Sequence, residues 1–190
     1  MTSVSNVEDE LRRRFDAGDL DGTLTYVLEQ YGDELLGFLV GLARDRAVAD
    51  DAFSATCERM WKGLPGFRWA SSLRVWAYTI ARNEFLRLAT RTRREIPISE
   101  ISSSAQALVQ KIKSQGPAYE QTSVKAQFAA VRAALAPDDH MLLGLRLDRR
   151  LAWTEIAEVL GEPSDARTVA ALRKRYERLK TKLRDQLVRA

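Results

Sequence analysis

The sequence predicts an all-α chain built from two small helical domains that a flexible linker joins. Apolar residues recur at intervals of three and four over most of the chain, which is the period of one helix face. The alternation of apolar and polar residues that is typical of a half-buried strand does not occur over any convincing stretch. A segment rich in serine, glycine and proline separates the two halves. We therefore predict a first domain over 8–94, a linker over 95–122 and a second domain over 123–188.

The first domain is expected to contain helices over 8–16, 21–43, 48–63, about 72–83 and about 84–93. Gly18 ends the first of these, and Gly63 and Pro65 end the third, because glycine and proline interrupt helices. Ser71 or Ser72 is expected to cap the fourth, since a serine oxygen accepts a hydrogen bond from a free amide of the first turn.

The second half is expected to end in a helix-turn-helix. The linker has room for a short helix near 104–113, and helices follow over about 123–135, 138–148, 153–160 and 165–188. Thr154 begins the short third helix of this set, and Gly161 supplies a tight turn that needs a positive φ. A short helix, a turn and a long second helix make a helix-turn-helix, whose second helix enters the major groove of DNA.

The last helix has one apolar stripe and a basic remainder. The stripe consists of Leu172, Tyr176, Leu179 and Leu183, at spacings of four, three and four. Within 167–184, eight basic residues accompany a single acidic one, Glu177. Arginine makes bidentate contacts to guanine, and other basic side chains hold phosphates. A solvated amphipathic helix with a basic face is the alternative interpretation.

Charge is distributed unevenly along the 190 residues, whose formal net charge is +4. Residues 1–95 carry 14 basic and 15 acidic side chains, whereas residues 124–190 carry 14 and 9. A polyanionic partner is therefore expected mainly at the C-terminal end. The front half, with balanced charges, suits a protein partner as well as DNA.

Several functional classes are excluded by composition. With Cys57 and His140 as its only cysteine and histidine, the chain has no residues for a disulfide or a Cys/His zinc site. A hydrolytic triad would have to use His140, near which no nucleophile signature occurs. We expect no catalytic residue, metal or other cofactor, and a small helical enzyme is a weak alternative. Neither a signal peptide nor an apolar run of roughly 20 residues occurs, so the chain is expected to be soluble and cytoplasmic.

The segment FRWASSLRVWAYTIARNEFLRLATRTRR, residues 67–94, interleaves aromatic and basic residues. Such a surface suits single-stranded DNA, because aromatic rings stack on unpaired bases and cations follow the backbone. Aromatic residues at helical spacing are also typical of a core, and this alternative applies to Trp76 and Tyr78 in particular.

The order of these parts resembles the extracytoplasmic-function (ECF) sigma factors of the bacterial sigma-70 family. Residues 47–94 are similar to their region 2, with SSLRVWAYTIARN as the most specific phrase, and the helix-turn-helix is similar to their region 4. The likeness covers about 8–187. Two departures are evident: the acidic, glutamine-rich stretch is reduced, and about five extra residues follow Gly161. We align Ala171 and Leu172 with the usual Thr-Val, which keeps the apolar stripe; the alternative, Thr168 and Val169, keeps the dipeptide but would place Arg173 on the core face. The start of the recognition helix is left open.

The resemblance implies a role for several residues of region 2. Core RNA polymerase would be bound at its β′ clamp helices and its β subunit. The surface of this chain that docks there would include Asp50, Asp51 and Glu58, for which solvated charges are the alternative. Asn83 would open a loop that captures a base flipped from the −10 strand, because an amide both donates to and accepts from a base edge. The neighbours expected to act with it are Trp76, Arg82, Glu84 and Arg87, of which the acidic Glu84 would act through Arg82 or not at all.

In region 4 the resemblance implies contact with the −35 duplex. The residues concerned are Arg146, Arg173, Lys174, Glu177 and Arg178. Arg146 would hold the DNA backbone, and Glu177 would accept from cytosine or pair with Lys174 or Arg173 along the helix.

The implied function is promoter-specific initiation of transcription by a polymerase subunit that is not itself an enzyme. Its partners would be core RNA polymerase, promoter DNA and an anti-sigma factor, which would in some cases hold it at the membrane. A stand-alone helix-turn-helix regulator, normally a symmetric dimer on a palindrome, is the alternative. The promoter sequence, the inducing signal and the identity of the anti-sigma factor cannot be read from these residues.

Overall fold

A computed structural model describes residues 4–43, 45–89, 101–115 and 135–189. Within these ranges the regular elements are all helices, which confirms the prediction of an all-α chain. They are α1 (Val4–Asp16), α2 (Leu20–Leu42), α3 (Arg46–Gly63) with a 3₁₀ turn (Leu64–Gly66), α4 (Leu73–Ala89), α5 (Ser103–Gln115), α6 (Pro137–Leu143) with a π-helical turn (Gly144–Asp148), α7 (Trp153–Leu160) and α8 (Ala166–Arg189). The chain forms two compact units, Met1–Ala118 and Tyr119–Ala190.

Helix α2 is the central element of the first unit, because α1, α3, α4 and α5 all pack against it. Its capping residue, Asp19, accepts a hydrogen bond from the amide of Gly22 at 2.9 Å. Buried apolar side chains occur along its whole length, including Leu24, Val27, Leu28, Leu35, Leu36 and Leu39. A helix that is apolar on most sides is stable only when neighbours surround it, and here four helices do so.

Helix α3 is also covered on more than one side, so that residues 52–57 are all buried. Its buried hydroxyls donate back to the carbonyls one turn earlier, Thr56 to Ala52 at 2.7 Å and Ser54 to Asp50 at 2.9 Å. Cys57 lies fully inside this core. Burial raises the pKa of its thiol to about 12, so that the group behaves as a small apolar residue.

Helix α4 differs from the prediction of two helices that meet near Asn83. It is continuous from Leu73 to Ala89, because no glycine or proline interrupts this range. Asn83 therefore lies within a helix and opens no loop. The cap was predicted correctly: the Ser72 hydroxyl accepts from the amide of Val75 at 3.1 Å. Residues 90–93 of the predicted second helix lie outside the described residues.

Helix α5 lies inside the segment that was predicted to be a flexible linker. Residues 103–115 of that segment form a helix packed on the first unit. Ala105, Val109 and Ile112 are buried in the first unit, where α5 packs on α2 and α3. Ile112 lies against Gly32, where a Cβ atom would collide with it. The helix agrees with the one expected near 104–113, but its apolar face has a partner that the composition of the linker conceals.

Polar contacts hold the C-terminal end of α5 on α3. The Arg46 guanidinium donates to the carbonyl oxygen of Lys113 at 2.9 Å, and the Lys113 ammonium donates to the Ser54 hydroxyl at 3.1 Å. Residues 95–100 and 116–122 of the predicted linker lie outside the described residues.

The second unit contains the predicted helix-turn-helix. Helix α7 spans Trp153–Leu160, which is the predicted range although Thr154 had been expected to begin it, and Gly161 ends it with φ 74°. Helix α8 begins at Ala166. The preceding residue, Asp165, accepts a hydrogen bond from the amide of Thr168 at 2.7 Å. This hydrogen bond lowers the pKa of Asp165. The helix predicted over 123–135 lies almost wholly outside the described residues.

The register of α8 follows the predicted apolar stripe. Leu172, Tyr176 and Leu179 are buried, and Leu183 is half-buried. Arg173 is exposed, as expected when Leu172 and not Val169 is the first buried position. The start of the recognition helix, left open by the sequence, is thus at Ala166.

Candidate nucleic-acid interface

A cavity of about 360 Å³ lies in the first unit, where the end of α3, the 3₁₀ turn, residues 67–72 and one face of α4 meet. We call residues 67–72 the cavity loop. The walls combine aromatic, cationic and hydroxyl side chains: Arg59, Phe67, Arg68, Ser71, Trp76 and Ile80. A flat ring system with hydrogen-bonding edges, such as an unpaired base, fits this mixture of stacking surface and donors.

Two aromatic rings form the apolar wall of the cavity. The ring centroids of Phe67 and Trp76 are 5.0 Å apart, with an angle of 46° between the planes. Gly63 permits this position of Trp76, because a Cβ atom at Gly63 would lie 3.1 Å from the indole. The glycine that was expected only to end a helix therefore also makes room for a cavity residue.

The residues predicted to act on the −10 strand fall into two groups. Trp76 lines the cavity, and Asn83 is exposed on the same face of α4, since 76, 80 and 83 follow the helical spacing of four and three. Arg82 donates to the Asn83 side chain at 3.3 Å. The Nε atom of Arg82 is buried and has no hydrogen-bond partner among the described residues.

Glu84 and Arg87 form the second group, because they pair with each other along α4. Glu84 is 9% exposed, and Arg87 donates to its carboxylate at 2.7 Å. The sequence suggested that Glu84 would act through Arg82, whereas the structure pairs it with Arg87. Tyr78 is fully buried against Phe38, so the core interpretation is correct for Tyr78, while Trp76 is half-exposed.

Some cavity residues were not singled out from the sequence. Arg59 lies on α3 and Ile80 on α4, two helices whose buried and exposed faces are predictable from the spacing of apolar residues. Ile80 follows Trp76 by one turn. Ser71 had been considered only as a cap. The helical spacing from Trp76 through Ile80 to Asn83 was the available signal for a common face.

In the second unit, two of the predicted −35 residues, Arg146 and Arg173, lie beside the indole of Trp153. The guanidinium of Arg146 lies 4.7 Å from the ring centroid and that of Arg173 lies 5.9 Å from it. Arg146 also donates to the carbonyl of Leu151 at 2.7 Å. Both cations are therefore oriented by the protein itself before any DNA is present.

The outer face of α8 presents the remaining predicted residues. Arg173, Lys174, Glu177 and Arg178 are all exposed. Glu177 pairs with Lys180 at 3.0 Å, not with the Lys174 or Arg173 suggested by the sequence. Arg175 differs from these exposed side chains, because it turns inward and donates to the Asp139 carboxylate at 2.6 Å.

The acidic residues predicted to bind polymerase lie on two sides of α3. Asp51 and Glu58 are seven residues apart, which places them on one side. Asp51 is exposed, and Glu58 accepts from Lys62 at 2.7 Å. Asp50 pairs with Arg46 at 2.9 Å, on the side that faces α5.

Within the described ranges, no cluster of three or more potential metal ligands from histidine, cysteine, aspartate and glutamate is formed. Among the same residues, no helix is both long and apolar enough to cross a membrane.

Comparison with known proteins agrees with this arrangement. Residues 27–95 match the family model of sigma-70 region 2. The chain is 33% identical over 135 residues to RNA polymerase sigma factor YlaC of Bacillus subtilis (strain 168), a match that covers 70% of this chain and 76% of that protein. Its fold is similar to that of the sigma factor RpoE, solved in complex with the anti-sigma factor NepR from Bartonella quintana, with a TM-score of 0.60 and 19% identity over 84% of this chain and 93% of that one.

A helical, DNA-binding transcription factor of two units is the class that this fold and these surfaces define. The chain belongs to the sigma-70 family, as an RNA polymerase sigma factor of the extracytoplasmic-function type. Sigma factors bind core RNA polymerase and promoter DNA and are non-enzymatic regulators. A stand-alone helix-turn-helix regulator is not favoured.

Proposed function

We propose that this sigma factor opens promoters by holding one unpaired base of the −10 strand in the cavity of the first unit. The observation that supports this is the cavity itself, which combines aromatic rings with guanidinium groups and whose Trp76 lies on the same face of α4 as Asn83. Capture of an extruded base offsets the few kcal/mol of unstacking, so the open state gains population. Trp76 supplies stacking, and Asn83, oriented by Arg82, reads a neighbouring base edge.

The second unit contributes the −35 contact in this proposal. Arg173, Lys174 and Arg178 face the duplex from α8, and Arg146 holds a phosphate while its guanidinium rests on Trp153. Glu177, already paired with Lys180, orients that lysine. Glu84 acts indirectly, because its buried carboxylate holds Arg87 on α4.

We further propose that Asp51 and Glu58 meet the β′ clamp helices and that Asp50 contributes after its pairing with Arg46. The β subunit would be a second point of polymerase contact. An anti-sigma factor would control this chain, as one binds the similar sigma factor from Bartonella quintana. The protein would work in the cytoplasm, or be held at the membrane by that partner, and would catalyse no reaction itself.

The base-capture proposal is tested with a matched pair of tryptophan variants in reconstituted holoenzyme. Trp76→Ala removes a cavity wall, whereas Trp61→Ala removes a half-buried tryptophan of α3 that does not line the cavity. We expect Trp76→Ala to weaken binding of a single-stranded −10 oligonucleotide by about tenfold to a hundredfold, the range of one base–aromatic stack. Fluorescence anisotropy measures this. Equal affinity of the two variants would contradict the proposal.

A further inference from the structure

Helix α1 contributes nothing to the lining of the cavity, yet it contacts both ends of the cavity loop. The loop needs external support, because Trp69 has φ 56°, a left-handed conformation that few side chains adopt. Such a residue persists only where its surroundings hold it. The contacts that do so come from more than fifty residues away in the chain.

At the end of the loop that joins α4, the carboxylate of Glu8 caps the helix together with Ser72. Its Oε2 atom accepts from the amide of Leu73 at 2.9 Å, and its Oε1 atom accepts from the amide of Arg74 at 3.1 Å. Ser72 accepts from the next amide, at Val75. The free N–H groups of the first turn thus have partners, and a negative charge lies at the positive end of the helix.

The phenol of Tyr31 on α2 keeps the Glu8 carboxylate in place, since its hydroxyl donates to Oε1 at 3.4 Å. Burial, followed by the charge of Glu8, raises the pKa of Tyr31, so the phenol keeps its proton and remains a donor. Arg74 joins the same cluster from α4, with its guanidinium 5.7 Å from the Tyr31 ring centroid.

At the other end of the loop, a series of rings joins α1 to the cavity wall. Phe15 meets Trp69 edge-on at 5.7 Å, Trp69 meets Phe67 at 5.2 Å, and Phe67 meets Trp76 at 5.0 Å. Arg12 lies over the outer side of Trp69, with 5.2 Å between the guanidinium and the ring centroid. A displacement of α1 would therefore change the positions of Phe67 and Trp76 in the cavity wall.

We propose that α1 is a positioning element for the cavity, and that Glu8 and Phe15 are the positioning residues through which it sets affinity for the unpaired −10 base. This rests on the proposed function of the cavity. Neither residue touches DNA in this account. Their effect is on the loop, so it is confined to the strand-capture step and leaves polymerase binding and −35 binding unchanged.

The test uses the full chain with Glu8→Gln and Phe15→Leu, and Glu10→Gln as the matched control. Glu10 lies on the same helix but pairs with Arg13 and Arg14 instead of α4. We expect Glu8→Gln to bind a single-stranded −10 oligonucleotide about tenfold more weakly in holoenzyme, the size of one lost charge-assisted hydrogen bond. Phe15→Leu should lose affinity in the same assay, Phe15→Tyr should restore it, and Glu10→Gln should match the unaltered protein.

Two further readouts separate positioning from general damage. Hydrogen exchange at the amides of Leu73 and Arg74 should accelerate in Glu8→Gln alone, and affinities for core polymerase and for −35 duplex should not change. Faster exchange with unchanged strand affinity would overturn the proposal, as would an equal loss of all three affinities. If instead Trp76→Ala leaves strand binding intact, the cavity is not the site of base capture, and the proposed function fails independently of α1.

Discussion

In the second unit, the residues that shape the DNA-binding element lie close together in the chain, whereas in the first unit they come from widely separated helices. Gly161 ends α7 and Asp165 caps α8 within a few residues of each other. By contrast, the amide of Leu73 is held by Glu8, 65 residues earlier. A helix-turn-helix is thus readable as a local motif, while the cavity depends on how α1, α2, α3 and α4 assemble.

Both units contain ion pairs between helices, Arg74 with Glu34 in the first and Arg175 with Asp139 in the second, besides pairs within one helix. In the first unit, Arg74 is 13% exposed and donates to Glu34 at 2.8 Å across two helices. Burial disfavours its charge, but the hydrogen bond and charge of Glu34 outweigh that effect and raise the pKa of Arg74. In the second unit, Lys180 and Glu177 pair on the open surface of one helix. Long-range contacts of the first kind should therefore dominate stability, and variants can test this.

The largest loss of stability is expected from Ile112→Ala, which tests the packing of α5 on the first unit. The substitution removes a buried apolar side chain and leaves a cavity beside Gly32, so we expect the free energy of unfolding to fall by about 3 kcal/mol. Chemical denaturation measures this. Gly32→Ala in the same chain should recover part of the loss, because its methyl group would occupy the space that the Ile112 side chain leaves, so that the two effects are not additive. Simple additivity of the two substitutions would show that α5 does not occupy this position.

A smaller loss, about 2 kcal/mol, is expected from Arg74→Met, because it leaves the partly buried Glu34 without its ion pair. The matched control is Lys180→Met, which breaks an exposed pair and should cost less than about 1 kcal/mol. Denaturant titration of both variants compares a long-range pair with a local one. Equal effects would show that an ion pair between helices stabilises the fold no more than a pair within one helix.

Gly161→Ala should cost about 1 kcal/mol, because alanine is strained at φ 74°. The effect should be confined to the helix-turn-helix, which hydrogen exchange of the α7 and α8 amides would show. Affinity for −35 duplex should fall while affinity for a single-stranded −10 oligonucleotide stays constant. Parallel loss of both would indicate that the turn is not a local feature.

The smallest effect concerns Cys57, whose thiol has its pKa raised to about 12 by burial. At neutral pH we expect no labelling of the folded protein by a thiol reagent and rapid labelling in denaturant. The folded pKa exceeds the unfolded one, so this group favours folding below the unfolded pKa, and that contribution is lost as pH rises toward the folded value. Fast labelling of the folded chain would contradict the burial of α3.

Sequence reasoning succeeded where local chemistry decides the structure. The apolar stripe of α8, the turn at Gly161 and the cap at Ser72 depend on neighbouring residues alone. It failed where a distant partner decides. The serine-rich segment was predicted to be a flexible linker with room for a short helix, because its composition is polar. That helix is α5, and its buried Ala105, Val109 and Ile112 show that it packs on the first unit.

The candidate site was predictable only in part. Trp76 could be named from its motif, and its position in a cavity wall follows from the meeting of α3, the cavity loop and α4. The support from Glu8 could not be inferred, because its pairing with two amides of α4 is visible only in three dimensions. The expected roles of the individual DNA-binding and docking residues remain predictions.

The most direct test of the central claim is transcription in vitro from a pooled promoter library, with purified bacterial core polymerase and this protein. We predict defined start sites that require the protein and that are lost with Asn83→Ala or with Arg173→Ala. Aligning the promoters used would reveal the −10 and −35 sequences together. Tight binding of duplex DNA by the protein alone, with no protein-dependent transcript, would contradict the account.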